Sequence, residues 1–456
     1  MTNGLDPVAE SLMRWIQQQA DERRADYEVA RQYYGGDHDT AITDRLKKFL
    51  PPRLQFRDNF MNVVVDSLAE RLSVLGFEIE DETISEWVSE LWGRNRMDYI
   101  QNVVHTETVM LGDSYLLCDW DDKNQRPRWT HQMAEMIVPH YNENTREIDW
   151  ASKKWIQRPR IGDEPETRLN LYYPDRVEKF VARGGVWARY SELEEPWPVP
   201  WVNNSGEPIG VPLIHFRNRP MGGDFGQSEI INVIPMQDLL NKSLIDLTMI
   251  LDTLAFPQRY TLNVNHGSSR LDILPGSVTE FHSEYDGGSV GQWNAATVDG
   301  PLKSIEALVQ HIAGTTRTPQ HLFQIVGGMP SGEALKTAES GLVNKAKQRQ
   351  VNFGNSWEDA LMMAMRVQAA FGTALADIEE GSIQTTWDDP ETRNELAHMD
   401  SLKAKMELGI TKHQIWREMG YTQEQIDQMD EDNTQERASE TNIGAEILRN
   451  FQAGTI

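Results

Sequence analysis

The residues best placed to do chemistry are those of a glycine-rich loop, Gln320-His-Leu-Phe-Gln-Ile-Val-Gly-Gly-Met-Pro330, and of the Ser331-Gly-Glu-Ala-Leu-Lys336 that follows it. Gly327 and Gly332 are spaced like the glycines of a phosphate-binding loop. Such a loop needs a lysine next. Here Glu333 follows, and it would set a carboxylate against the phosphate. An NTP site is not expected. Metal chemistry fares no better: there is no paired Cys, no His-Glu-x-x-His and no aspartate-rich calcium loop. His131, His140 and His215 are scattered through strand-like sequence and read as structural. Asp388-Asp389 could hold a cation. Between Trp387 and Pro390 the pair also reads as a strand end before a helix N-terminus, where carboxylates are favoured. No Gly-x-Ser-x-Gly elbow exists, and Cys118 lies in an apolar strand pattern with nothing to make it a thiolate. Trp150, Trp155, Tyr172, Tyr173, Trp187, Trp197 and Trp201 could line a carbohydrate cleft, which leaves a hydrolase reading open, or form the aromatic core and subunit contacts of a small sheet. No catalytic residue, cofactor or metal is expected, and the chain reads as a non-enzyme.

These residues need elements to position them. The loop sits between a helix pattern at Leu302–Thr318, stopped by Pro319, and a very long one that opens at Ser331. Leu335, Ala338, Leu342, Ala346, Phe353, Trp357, Leu361 and Met365 give the long pattern an apolar face, and it would span roughly 60 Å if unbroken. A second long pattern covers 226–255, with Ile230, Ile234, Leu240, Leu244, Leu247, Leu251 and Leu254 as its face. Pro235 is expected to kink it and Pro257 to end it. The excursion 256–300 carries strand-like pieces at 259–264 and 277–282. Upstream, residues 6–112 read as mostly helical, with Asp6-Pro7 as a start signal, Gly35-Gly36 as a stop and further helices near 57–75, 83–94 and 97–111. Residues 113–220 change to strands at 114–120, 168–173, 177–182, 186–190 and 212–216, with Gly184-Gly185 as a turn and 194–212 as a loop. A strand at 382–387 is followed by helix patterns at 391–408, 411–419 and 422–431.

Composition narrows the classes. The 456 residues include 14 Trp, 12 Tyr and 13 Phe, which argues for a folded chain of two or three core-bearing units. Seventy acidic residues against 44 basic ones give a net charge of −26, unsuited to gripping nucleic acid but suited to surrounding DNA that must slide. From Asp377 to Glu440, 17 acidic residues face 6 basic ones. Residues 301–350 depart from this bias with a net of +3, read either as a solvated helix face or as a weakly basic ring near DNA. One cysteine excludes a disulfide within a monomer and fits a reducing site of synthesis. The first residues show neither a basic start nor an apolar signal core, and no apolar run reaches ~18 residues, so neither a secretory leader nor a membrane span is expected.

Four motifs, in order, resemble the portal proteins of long-tailed bacteriophages. They are Asn59-Phe-Met-Asn-Val-Val-Val-Asp-Ser-Leu-Ala-Glu-Arg-Leu72 with Gly76-Phe77, Gly226-Gln-Ser-Glu-Ile with Met236-Gln-Asp-Leu-Leu-Asn241, Thr318-Pro319 with the glycine-rich loop and Ser331–Lys336, and Trp387-Asp-Asp-Pro-Glu-Thr-Arg393. The match extends over about residues 25 to 430. The resemblance implies an α+β, mainly helical portal fold with two long stem helices, a very long wing helix, a β-rich wing part and a small α/β clip, assembled as a ring, usually of about twelve copies. It assigns 1–225 to the wing (helical 1–112, β-rich 113–225), 226–255 and 301–318 to stem helices, 256–300 to the clip and 319–332 to the tunnel loop. It assigns 333–390 to the long wing helix and strand, and the acidic 391–456 to the crown.

The implied function is a channel at one capsid vertex through which double-stranded DNA enters and leaves, held without sequence preference. The implied partners are the terminase large subunit, then a head-completion adaptor, with the major capsid protein and a scaffolding protein around the ring, and no membrane. The implied place is the virion's portal vertex, after synthesis in the host bacterial cytoplasm. Gln320, His321, Leu322, Phe323, Gln324, Ile325, Val326, Gly327, Gly328 and Met329 are expected to line the constriction, with Lys336 and Arg317 as candidate phosphate contacts. Changing Phe323 and Ile325 to Asp is expected to spare the ring and impair packaging or retention. The rival reading is a structural capsid or scaffolding component without a channel.

Overall fold

The computed structural model describes residues 7–38, 58–158, 164–190, 195–255, 259–262, 289–292, 298–323, 332–373, 375, 381–391, 405–406, 409–419, 426 and 428–429. In chain order the helices and strands begin with α1 (Pro7–Tyr34), α2 (Met61–Ala69), β1 (Val74–Glu78), α3 (Glu82–Arg94) and α4 (Met97–Leu111). Next come β2 (Asp113–Asp121), β3 (Arg126–Gln132), β4 (Ile137–Tyr141), β5 (Ile148–Gln157), β6 (Glu166–Tyr172), β7 (Arg176–Arg183), β8 (Val186–Arg189), β9 (Val199–Pro200) and β10 (Leu213–Arg217). The rest are α5 (Ile234–Ala255), β11 (Arg259–Leu262), β12 (Ser289–Gln292), α6 (Asp299–Thr316), α7 (Gly332–Phe371), β13 (Gln384–Trp387) and α8 (Lys412–Glu418). The fold is mixed helix and sheet. It divides into two compact units, one of Met1–Tyr27, Ser67–Ser228 and Met329–Ile456, the other of Glu28–Asp66 and Glu229–Gly328.

In the first unit, β10-β2-β3 form one antiparallel sheet and β4-β5-β6-β7-β8 another, with β9 paired to β7. The Gly184-Gly185 turn joins β7 to β8, both glycines at positive φ, as a two-residue hairpin requires. Met13 and Ile16 of α1 pack on Leu169, Leu171 and Phe180 of the larger sheet. Phe353 and Trp357 of α7 are fully buried and meet Phe216 of β10 and His105 of α4 ring to ring. Gly354 lies one turn from these rings, where a methyl group would stand 3.4 Å from Trp387 of β13; the small residue lets the strand come close.

Several expectations need correction. The helix foreseen near 57–75 stops at Ala69, and the chain from Val74 becomes β1, which pairs antiparallel with β13. Gln101 explains the change: its side chain takes the Val74 N–H at 2.8 Å, and the β13 ladder takes much of the rest. No helix begins at 226. α5 starts at Ile234, so Pro235 sits in the first turn, where its missing N–H costs nothing, and makes no kink. Leu251 points to solvent at 50 % exposure, because the buried face of α5 runs through Val233, Gln237, Leu240, Asn241 and Ile245 instead. On α7 the apolar face opens only at Leu342: Ala338 is exposed and Glu339 is buried. The strands β3, β4 and β5 were not foreseen. The expected strand at 277–282 and most of the helix patterns at 391–408 and 422–431 lie outside the described residues.

Candidate channel segment and its supports

In the second unit the candidate segment begins where α6 ends. Arg317 caps α6 in the left-handed region (φ 53°), with its N–H on the Ala313 and Gly314 carbonyls, and its side chain is exposed. The left-handed cap turns the chain sharply. Thr318, buried, donates its N–H to Ala313 O at 3.0 Å, and its hydroxyl meets that of Thr316 at 3.0 Å. Pro319 then starts a single 3-10 turn, Gln320–Phe323, closed by Leu322 N to Pro319 O at 3.1 Å. Gln320 is exposed and His321 and Leu322 are half-buried.

Phe323 departs from the expectation of a DNA-facing ring. It is 7 % exposed and stands edge-on to Phe60, with ring centroids 5.2 Å apart and planes at 87°. Replacing it with Asp would place a carboxylate at a buried position against Phe60, so a cost in stability is expected alongside any effect on DNA. The partner ring is itself fixed. Gln237 of α5 accepts the Phe60 N–H at 3.0 Å and donates to Asp58 O at 2.7 Å, while Asn241 accepts the Asp58 N–H at 3.0 Å. Asn241 also donates to His38 Nδ1 at 2.8 Å, and the His38 ring stacks on Tyr33. Gln237 and Asn241 are fully buried, so these two amides carry polar groups where the helix pattern called for apolar ones. Residues 324–329 lie outside the described residues.

Lys336, the other expected phosphate contact, is in the first unit, exposed on the first turns of α7. Its charge, after the nearer Lys347, helps hold Glu391 below the usual carboxylate range. Glu391 is one wall of an open pocket, with Glu70, Arg71, Asp388, Asp389 and Pro390. Lys347 pairs with Glu391 at 2.9 Å, and Asp388 N is bound to Ser73 O at 2.8 Å. The strand-end reading of Asp388-Asp389 holds as far as the end of β13; the helix expected after it lies outside the described residues.

The first unit holds two polar constellations that sequence reasoning missed. At the start of β2 the buried Asp113 accepts from four groups: Arg23 Nη2 and the Tyr27 hydroxyl at 2.7 Å on one oxygen, His215 Nε2 at 2.9 Å and Gly226 N at 2.7 Å on the other. Burial alone would raise the carboxyl's pKa. His215, Arg23 and the Gly226 N–H outweigh burial and hold it below its ordinary value. His215 is itself pushed down by burial, which its bond to Asp113 opposes; it stays neutral, with Nδ1 against the Tyr141 hydroxyl at 2.7 Å. Backbones cross tightly here: Asn218 N meets Gly112 O at 2.7 Å, and Asn218 O takes Gln227 N at 2.6 Å. A methyl group on Gly226 would overlap the Gly112 carbonyl, which accounts for the glycine of the Gly226-Gln-Ser-Glu motif. Arg349 of α7 binds Asn218 Oδ1 from a buried position.

The second constellation brings Ser114, Glu107 and His131 together. The serine hydroxyl donates to Glu107 at 3.1 Å and His131 lies 2.6 Å from the same carboxylate oxygen. The serine touches the acid and not the imidazole, so the trio lacks the serine–histidine bond of a nucleophilic pair. His140 is a plate between Trp15 and Trp150, pushed down to about 4 by burial. Burial raises the Cys118 thiol, which keeps it protonated and unreactive. His131, His140 and His215 are thus separate structural contacts, and among the described residues no group of three potential ligands could hold a metal.

The family described as phage portal protein, SPP1 Gp6-like, matches residues 13–439. The chain belongs to the phage portal protein family. Two curated portal proteins are similar to it over most of their length. That of Mycobacterium phage D29 is 23 % identical over 383 residues, covering 80 % of this chain and 76 % of the relative. That of Mycobacterium phage L5 is 23 % identical over 390 residues, covering 81 % and 77 %. Among solved structures, the neck of a native GTA particle computed with C12 symmetry aligns with a TM-score of 0.45 at 12 % identity, over 78 % of this chain and 88 % of that one. The neck of an empty GTA particle computed with C6 symmetry aligns at 0.43 and 12 %, over 83 % and 92 %. Portal proteins are structural components of the virion, and roles in DNA packaging and ejection follow from membership. Among the described residues no helix is long and apolar enough to cross a membrane.

Proposed function

We propose that this portal protein closes into a ring of about twelve copies and forms the channel for DNA at one capsid vertex. Membership of the portal family over residues 13–439 carries the reading. Supporting it, α5 and α6 pack together yet leave Leu239 and Leu251 of the one and Leu302 of the other 43–50 % exposed, apolar surface that a neighbouring copy would cover. In this reading α5 and α6 are the stem, 256–300 the clip, 319–332 the tunnel loop, 333–390 the wing helix and strand, 391–456 the crown and 1–225 the rest of the wing. The clip receives the terminase large subunit and later the head-completion adaptor. The uncharged run from Leu322 to Met329 supplies contacts to duplex DNA without salt-dependent adhesion, while a chain of net charge −26 keeps the rest of the wall repulsive.

Purified protein without nucleotide or metal should show a single large mass and, in top view, a ring with a hole wide enough for duplex DNA. A stable monomer, or assembly that strictly needs ATP, contradicts the reading. Deleting residues 267–288 should leave rings and abolish terminase binding; normal binding by that variant moves the docking site elsewhere.

A further inference from the structure

Phe323 lies near the start of the uncharged run, yet its side chain is turned away from solvent. The contact that holds it is built in layers. Gln237 and Asn241 bind the backbone of residues 58–60 on both its N–H and C=O sides, at 2.7–3.0 Å, so the backbone at Phe60 is held by hydrogen bonds as well as by packing. Both amides are fully buried and use both ends of the amide group, Asn241 ending on His38. Phe60 presents its ring to the edge of Phe323, a favoured aromatic geometry. Upstream, the buried Thr318 and Pro319 and the Thr316–Thr318 hydroxyl contact fix the other end of the same short turn. A segment that must meet moving DNA needs a rigid scaffold at its base.

We propose that Phe323 is a positioning residue: docked on Phe60 and the Gln237–Asn241 clamp, it fixes the point from which the chain leaves the 320–323 turn, and it does not touch DNA. The proposal rests on the reading of 320–329 as a channel segment. It divides the run into an anchor, Phe323, and contacts supplied by its neighbours, of which Gln320 is exposed and His321 and Leu322 half-buried.

The test is a double-mutant cycle in the full chain and in phage particles carrying it: Phe60→Ala, Phe323→Ala and both, with Phe60→Leu and Phe323→Leu as milder variants should the alanine forms fail to fold. Amide exchange of residues 320–323 is read in the purified protein, and the fraction of DNA-filled particles in the phage. Each alanine change should speed exchange, with a coupling between the two positions of roughly 2- to 10-fold. The pair should be no worse than either single change. DNA retention should follow the same non-additive pattern, with the leucine variants falling between. Loss of retention in Phe323→Ala with Phe60→Ala at wild-type level, or effects of the two that multiply, would show Phe323 touching DNA itself and overturn the anchor. Coupled exchange with retention unchanged in every variant leaves the packing as described and removes the channel reading beneath the proposal.

Discussion

Two chain crossings in this protein are held by opposite means. At the start of β2 one buried carboxylate, Asp113, gathers a guanidinium, a phenol, an imidazole and a backbone N–H. On α5 two neutral amides, Gln237 and Asn241, hold residues 58–60. The ionic hub concentrates four bonds on one group, so losing that group strands all its partners at once. The amide clamp spreads its bonds over two side chains whose amides carry no charge, so each loss is smaller. The molecule thus has one crossing built around a charge and one built from neutral amides.

The comparison breaks first at Asp113. Asp113→Ala should cost about 3 kcal/mol or more in chemical denaturation, because the buried His215, Tyr27 and Gly226 N–H lose their acceptor, although the part-exposed Arg23 can turn to water. A loss below about 1 kcal/mol would mean that the hub does not govern stability.

Acid should give the next largest effect, and His105 adds to it. His105 is fully buried and neutral: Trp357 Nε1 can only donate, so His105 Nε2 accepts at 2.9 Å, while Nδ1 donates to Leu72 O at 2.8 Å. Burial holds it down to about 4, against an ordinary value near 6.5. A depressed folded value means that the unfolded chain binds the proton first. The stabilisation is complete above about pH 6.5 and is lost as pH falls toward 4, by up to ~3 kcal/mol. The depressed Asp113 has the same sign and acts at still lower pH, below its ordinary carboxylate value. Denaturation midpoints measured between pH 7 and 4 should fall, and His105→Gln should flatten the upper part of that slope. An unchanged slope in His105→Gln would assign the acid loss to another group.

Gln237→Leu should cost about 1–3 kcal/mol, since it strips the partners from Phe60 N and Asp58 O. A cost well below 1 kcal/mol would mean that the amide's bonds to residues 58–60 do not govern stability. Lys347→Ala removes an exposed pair with Glu391 and should change stability by no more than about 0.5 kcal/mol. A larger change would make the acidic pocket a structural joint.

Sequence alone showed the elements whose signals are local. α7 was expected from its apolar steps and is found at Gly332–Phe371, and α6 and β13 lie within a few residues of their expected places. What was missed depends on partners distant in the chain. Val74 becomes a strand because β13, some three hundred residues later, completes its ladder. Leu251 looked like core by periodicity, but the core face of α5 is set by Gln237 and Asn241, whose burial makes sense only once residues 58–60 lie against them. β3 begins with a proline between two arginines, Arg126, Pro127 and Arg128, which hides from the sequence a strand whose buried Pro127 and Trp129 flank the exposed Arg128. The family motifs were legible, yet for two of them the structural reason differs from the one expected. Gly226 serves a backbone crossing and not a helix start, and Phe323 is buried edge-on against Phe60 where an exposed ring was expected.

The claim that the 320–323 turn lies at the DNA channel is tested most directly by photocrosslinking in filled particles. A photoreactive side chain at Gln320, which is exposed, should capture DNA, while one at Tyr99, exposed on α4, should not. No capture from Gln320, or equal capture from both positions, would contradict the account.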